Sequence, residues 1–387
     1  FIPVVVKDNL SWDEFSKVNV KSPDLPGIQT LAGASRYYPD SVAFAHVLGH
    51  VGAVSAEEQG DDPALQLPGF KVGKLGVERT FDEALRGVVG TRRVEVNARG
   101  RIVREVARQE SQIGHDLQLS LSAPLQRVTA ERMGEESAAA VVLDITKGDI
   151  LSLVSTPSFD PNEFSTGISH ENWQALMGDP RLPLVNKALS GQYPPGSIFK
   201  MIVALAALKA GVITPSEHIF CNGKHPYGDN VFHCWEKGGH GRVNMERSFR
   251  RSCDIYYYTL AERLGVQAIA DMARSFGLGG RFDLPLPGQK SGLVPDPAWK
   301  RRVLGRGWLG GETLNLSIGQ GTLLTTPLQM AVMTARLASG KAVKPRIVHD
   351  DAAVNFEALD IPKAHLDLVR HCLLYTSPSP RDVSRSR

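Results

Sequence analysis

Two side chains that could carry out covalent chemistry stand three residues apart in Tyr193-Pro194-Pro195-Gly196-Ser197-Ile198-Phe199-Lys200-Met201. A Pro-Pro-Gly turn delivers Ser197 to the start of a predicted helix. Lys200 follows one turn later, so both side chains share a helical face. A serine hydroxyl is a weak nucleophile and needs an adjacent base. An amine in a partly desolvated pocket could be that base in its neutral form. The helix start also offers backbone N–H groups to a developing oxyanion. Ser-x-x-Lys alone is common by chance, but the turn and the apolar Ile202-Val203-Ala204-Leu205 behind it describe a buried, rigid platform. A second pair, Ser252 and Asp254, stands in Arg251-Ser252-Cys253-Asp254 between two predicted helices. Ser252 could relay a proton, and Asp254 could orient groups or serve as N-cap of a helix starting at Ile255.

The elements that must position these groups follow from residue 116 onward. Leu117 to Leu121 alternates as a strand would. Ala123 to Met133 reads as a helix stopped by Gly134. Two β-prone runs, Ala138 to Leu143 and Ile150 to Val154, flank a Lys147-Gly148-Asp149 turn and predict a hairpin. Further helices are predicted over Ser197 to Ala210, stopped by Gly211, and over Ile255 to Leu264, stopped by Gly265. Another runs over Pro327 to Ser339, with Thr326 as N-cap and Gly340 as stop. Strands and helices in separate blocks predict an α+β fold with a mixed or antiparallel sheet flanked by helices. Residues 1–115 carry short β-prone pieces, among them Ile2 to Lys7 and Arg101 to Val106. Their turn signals include Gly60-Asp61-Asp62-Pro63 and Asn97-Ala98-Arg99-Gly100. No nucleophile with a nearby base stands out there, and a supporting domain is expected.

The bulk properties agree with a globular protein of two or more domains: 387 residues, 42% hydrophobic and 22% charged. A net charge of +3 argues against a nucleic-acid binder. No apolar run approaches the roughly 18 residues that span a bilayer. The chain opens on Phe1 without a signal peptide, which is expected of a sequence starting inside a longer protein. Residues 372–387, from Cys372 through a basic Ser/Pro-rich string, break the preceding pattern and are expected to be a non-native tail.

The two serine motifs together resemble those of the penicillin-binding protein and serine β-lactamase superfamily. Further strings narrow the resemblance to the penicillin-binding protein 2 family, the class B monofunctional transpeptidases of bacterial elongation. They are Arg36-Tyr37-Tyr38-Pro39, Ala45-His46-Val47-Leu48-Gly49-His50-Val51, Ser158-Phe159-Asp160-Pro161-Asn162, Gly239-His240-Gly241-Arg242-Val243-Asn244 and Ile318-Gly319-Gln320-Gly321. The resemblance implies a pedestal domain over 1–115 and a serine β-lactamase-like transpeptidase domain over 116–371. It implies that Ser197 attacks a stem peptide of peptidoglycan, with Lys200 as base and Ser252 as proton relay, and that β-lactams acylate the same serine. It also implies a polytopic glycosyltransferase partner and a membrane anchor, absent from this sequence, holding the protein at the periplasmic face of the inner membrane. The chemistry would require no cofactor. The family's third motif, Lys-Thr/Ser-Gly, belongs on a strand after the Gln-Gly region. Lys290-Ser291-Gly292 precedes that region in a Pro-rich loop and is rejected for it. The motif is expected beyond residue 371, and a chain lacking it is expected to react weakly.

Cys221, Cys234, His240 and Cys253 follow the spacing Cys-x12-Cys-x5-His-x12-Cys. Three thiolates and one imidazole make a closed tetrahedral set for structural zinc, and some relatives are held to bind zinc around this loop. Two other readings stand beside zinc: a disulfide, favoured by an oxidising periplasm, and three unconnected cysteines. His225 and His233 are reserve ligands. Two rival functions remain open: a serine β-lactamase, which would deacylate rapidly and lack a pedestal, and a non-catalytic cell-wall scaffold.

Overall fold

The computed structural model describes residues 5–376 except 9, 29, 31–34, 61–63, 67–68 and 98–101. The chain forms two compact units. The first comprises Phe1–Ala138, Val154–Asn186 and Pro285–Pro287; the second comprises Ala139–Leu153, Lys187–Leu284 and Gly288–Arg387.

In the first unit, the helix Ser41–Leu48 presents Phe44, Ala45 and Val47 to a small core shared with Val51, Val72, Val77 and Phe159. Val51–Ala53 pairs antiparallel with Lys71–Gly73, and Thr91–Val96 pairs with Ile102–Gln109. Three strings singled out in the sequence meet here. Arg36 and Tyr38 both reach the buried carboxylate of Glu78, at 2.7 and 3.3 Å. The Asn162 side chain accepts from Tyr38 N at 2.9 Å and donates to Tyr38 O at 3.0 Å. The rings of His46 and His50 stand edge-on to Phe159.

The expected turns at Gly60–Pro63 and Asn97–Gly100 lie largely outside the described residues, as does Ile2–Val4. Val5 to Lys7 forms no strand. Nor does Leu117–Leu121, where Leu119 makes only an isolated bridge: alternation sets which way side chains face, but a strand also needs a partner ladder, and none runs beside this segment among the described residues. Arg101 is outside the described residues, and the strand begins at Ile102.

The second unit is built around the helix Lys200–Lys209, in which every residue from Lys200 to Leu208 is buried. A helix apolar all round belongs in a core. Asp254–Ser275 and Lys363–Thr376 pack against it, and Gly310–Ser317 packs on Asp254–Ser275. Ile219–Cys221 pairs antiparallel with Gly241–Val243, and Lys224–Tyr227 with Asn230–His233. Helices with antiparallel hairpins make the fold α+β, as expected. The predicted elements Ala123–Met133 and Pro327–Ser339 have the expected bounds, the latter with Thr326 as N-cap and Gly340 as C-cap. The hairpin Ala138–Leu143 and Ile150–Thr156 is present.

Two further expectations change. Gly265 does not end its helix: at φ 72°, ψ 165° it kinks the chain, and the helix resumes to Ser275. Apolar Val266, Ile269, Ala270 and Ala273 keep a buried face beyond the kink. Asp254 is not an N-cap; Cys253 holds that position without a side-chain cap, and Asp254 is the first helical residue. Cys372 to Thr376 continue the helix begun at Lys363, and Cys372 is fully buried. Leu366, Val369 and Cys372, spaced by three, share the buried face. Residues 377–387 lie outside the described residues.

Candidate active site

Ser197 lies in a 3-10 turn, Gly196–Phe199, that feeds directly into the helix Lys200–Lys209. The turn is pinned from outside. Gly196 N donates to Gly319 O at 2.9 Å, and Tyr193 exchanges two 2.9 Å backbone bonds with Thr325. Gly319 must be glycine: its φ is +72°, and a Cβ there would stand 2.1 Å from Gly196 O. The Gln-Gly string is therefore the backstop of the serine turn. Ser197 is exposed, whereas the Lys200 side chain is only 2% exposed.

The three donors of the Lys200 ammonium have three partners: Ser252 O at 2.9 Å, Ser252 Oγ at 3.0 Å and Asp254 Oδ1 at 2.7 Å. Ser252 Oγ in turn donates to Ser197 Oγ at 3.0 Å. All four predicted residues thus form one connected chain: Ser197, Ser252, Lys200, Asp254. Ser252 closes the helix Met245–Arg251 in the left-handed region, φ 48°, ψ 44°. A side chain in that conformation costs about 1 kcal/mol, and such strain gathers at functional sites.

Two neighbours carried no sequence signal as site residues. Trp235 N donates to the second Asp254 oxygen at 3.0 Å, and its indole Nε1 donates to Arg251 O at 3.0 Å. The Tyr257 ring lies 5.4 Å from Lys200 Nζ, a cation–π distance. Trp235 follows a candidate ligand, Cys234, which is the one hint the sequence offered. Lys290-Ser291-Gly292 is irregular rather than a strand: Lys290 N bonds Leu189 O, and Ser291 O accepts from Gln329.

Cys221, Cys234, His240 and Cys253 come together, their ligand atoms all within 4.8 Å of one another. His240 Nδ1 lies 3.7 Å from Cys221 Sγ and 3.5 Å from Cys234 Sγ. Zn–S and Zn–N bonds of about 2.3 and 2.0 Å, set at a tetrahedral angle, span an S···N edge of about 3.5 Å. Burial raises the Cys234 and Cys253 thiols and lowers the His240 imidazole. Thiolates in this place would need a cation beside them. The donor set therefore fits zinc. His225, 3.2 Å from Glu262, and exposed His233 stay outside the cluster.

Comparison with known proteins places this geometry in a family. Residues 138–377 match the penicillin-binding protein transpeptidase domain, and residues 1–119 match the penicillin-binding protein dimerisation domain. The chain belongs to the penicillin-binding protein family. It is 38% identical over 349 residues to peptidoglycan D,D-transpeptidase MrdA of Acinetobacter baumannii, covering 89% of this chain and 52% of that protein. The chain thus spans about half the length of the curated relatives it matches. Among solved structures, PBP2 of Helicobacter pylori in complex with MreC superposes with a TM-score of 0.84 at 31% identity. That match covers 94% of this chain and 67% of the other. PBP2 of Pseudomonas aeruginosa in complex with WCK 5153 gives 0.76 at 33% identity, covering 89% and 75%.

Proposed function

We propose that this chain is the acylating part of a peptidoglycan D,D-transpeptidase, and that Ser197 is its nucleophile. The observation that carries this reading is the relay from Ser197 Oγ through Ser252 Oγ to Lys200 Nζ, two links of 3.0 Å each. With Lys200 as the amine, the Ser197 hydroxyl proton passes to Ser252 while the Ser252 proton passes to Lys200. Hydroxyl rotors allow this reversal of the resting bonds. Ser197 Oγ bonds to the carbonyl carbon of the penultimate D-alanine of a stem peptide. The terminal D-alanine leaves as the amine and takes its proton back through the same relay. The acyl group then passes to an amine of a neighbouring strand. A β-lactam carbonyl would enter at the same atom. Asp254 and the Ser252 carbonyl hold Lys200 at the relay throughout, and Trp235 holds Asp254.

Zinc in the Cys221, Cys234, His240, Cys253 set would be structural, because a closed set of four leaves no open position. Cys253 lies between Ser252 and Asp254, and Cys234 precedes Trp235, so a metal there would fix both sides of the relay. The partners that this reading implies are stem peptides, β-lactams and a polytopic glycosyltransferase. The implied place is the periplasmic face of a bacterial inner membrane.

The test is labelling with a fluorescent penicillin, read by intact mass. A stable adduct on Ser197 that vanishes in Ser197→Ala supports the transpeptidase reading. Rapid release of the adduct would point to a β-lactamase instead, and an adduct that persists in Ser197→Ala would mean another nucleophile. Elemental analysis should find one zinc per chain, lost in Cys234→Ser.

A further inference from the structure

The first unit contains a cleft of about 1010 Å³ formed entirely within that unit. This volume is at the top of the usual range for ligand sites. Its walls carry two arginines against five carboxylates. Tyr37 lines it and is 76% exposed. Ser158 also lines it, and its Oγ is buried without a hydrogen-bond partner. A buried hydroxyl left unsatisfied calls for a ligand or water.

Several of these polar groups pair with one another. Arg181 clamps Asp179 through Nε and Nη2, at 3.1 and 2.8 Å, and reaches Glu135 at 3.2 Å. Asp40 precedes the helix Ser41–Leu48 but makes no capping bond; its carboxylate instead lies 3.3 Å from Arg127 Nε. Among the described residues, three non-glycine residues have positive φ: Asp40, Leu182 and Ser252. Ser252 belongs to the serine relay. Asp40 lines the cleft, and Leu182 sits between its lining residues Arg181 and Pro183. Strain of this kind is retained where surroundings and function require it.

We infer that this cleft binds a neutral oligosaccharide, the glycan backbone of the peptidoglycan whose stem peptides the serine site is proposed to cross-link. The excess of carboxylates disfavours anionic ligands. Both arginines are already engaged with carboxylates, so neither offers a free positive charge to a ligand. That pattern suits hydroxyl and acetamide groups, and the exposed Tyr37 ring suits the apolar face of a pyranose. The inference rests on the proposed function for its choice of polymer, but it has its own readout.

The test is calorimetric titration of the whole chain with chitohexaose, a neutral β-1,4-linked N-acetylglucosamine oligomer. Saturable binding is expected, weakened about tenfold in Tyr37→Ala and also weakened in Ser158→Ala. Binding should be unchanged in chain already acylated by penicillin, and penicillin labelling should be unchanged in Tyr37→Ala, which also reports that the variant is folded. No saturable binding, binding indifferent to both substitutions, or binding abolished by acylation would each overturn the inference. None of these outcomes touches the assignment of Ser197.

Discussion

Replacing Asp254 by Asn removes the charge facing a lysine that has almost no access to water. The Lys200 and Asp254 side chains are 2% and 12% exposed, and Nζ lies 2.7 Å from Oδ1. At an effective dielectric of about 20, unit charges at that separation attract by about 6 kcal/mol before desolvation is counted. Breaking a buried pair by removing one partner costs about 3–5 kcal/mol, because the remaining charge is stranded. Asp254→Asn should therefore lower the urea unfolding free energy by about that amount, although Asn keeps an acceptor in place. Lys200→Met should cost less, since the stranded carboxylate keeps the Trp235 N–H bond. The double variant should recover more than 1 kcal/mol relative to the sum of the singles. Both singles should also lose penicillin labelling. A loss below about 1 kcal/mol in Asp254→Asn, with no coupling in the cycle, would refute the view that a buried charge pair anchors the relay.

Other consequences can be checked separately. Ser252→Gly relieves the left-handed strain, so stability should stay within about 1 kcal/mol of the parent while acylation falls at least about a hundredfold through loss of the relay; stopped-flow labelling beside urea unfolding separates the two. Gly319→Ala places a Cβ against Gly196 O and should slow acylation more than about tenfold by shifting the serine turn, read in the same labelling assay. Adding zinc to metal-free protein should release protons, because the buried thiols must ionise on binding; a pH-indicator titration that shows no release would contradict the site. Burial holds the His50 imidazole below its ordinary value of 6.5, so the unfolded chain takes up a proton first as pH falls. Its penalty is absent above that value and grows below it, and His50→Gln should flatten the loss of thermal stability as pH falls below about 6.5.

What the sequence made legible was local. Thr326, Pro327 and Gly340 are a cap, a first-turn proline and a left-handed stop, and each acts through its own backbone, so that helix was readable to the residue. Ser197 and Lys200 share a helical face by spacing alone. The links that complete the site are not local. Lys200 meets Ser252 and Asp254 across 52 and 54 residues, and only the packing of Asp254–Ser275 on Lys200–Lys209 brings them together. The same packing overrides two local signals. Gly265 is a helix stop by itself, yet the buried face beyond it pulls the chain back into helix. Asp254 is a good N-cap by itself, yet one oxygen answers Lys200 and the other Trp235 N, so the cap is forgone. At Cys372 an apparent break in composition still keeps the buried spacing of Leu366 and Val369. A residue that gives up its local preference thus marks where a distant partner supplies more. Asp254 does so at the serine relay. Asp40, a helix-start aspartate that turns from its own helix to Arg127, does so at the cleft, which is why that cleft is expected to hold a ligand.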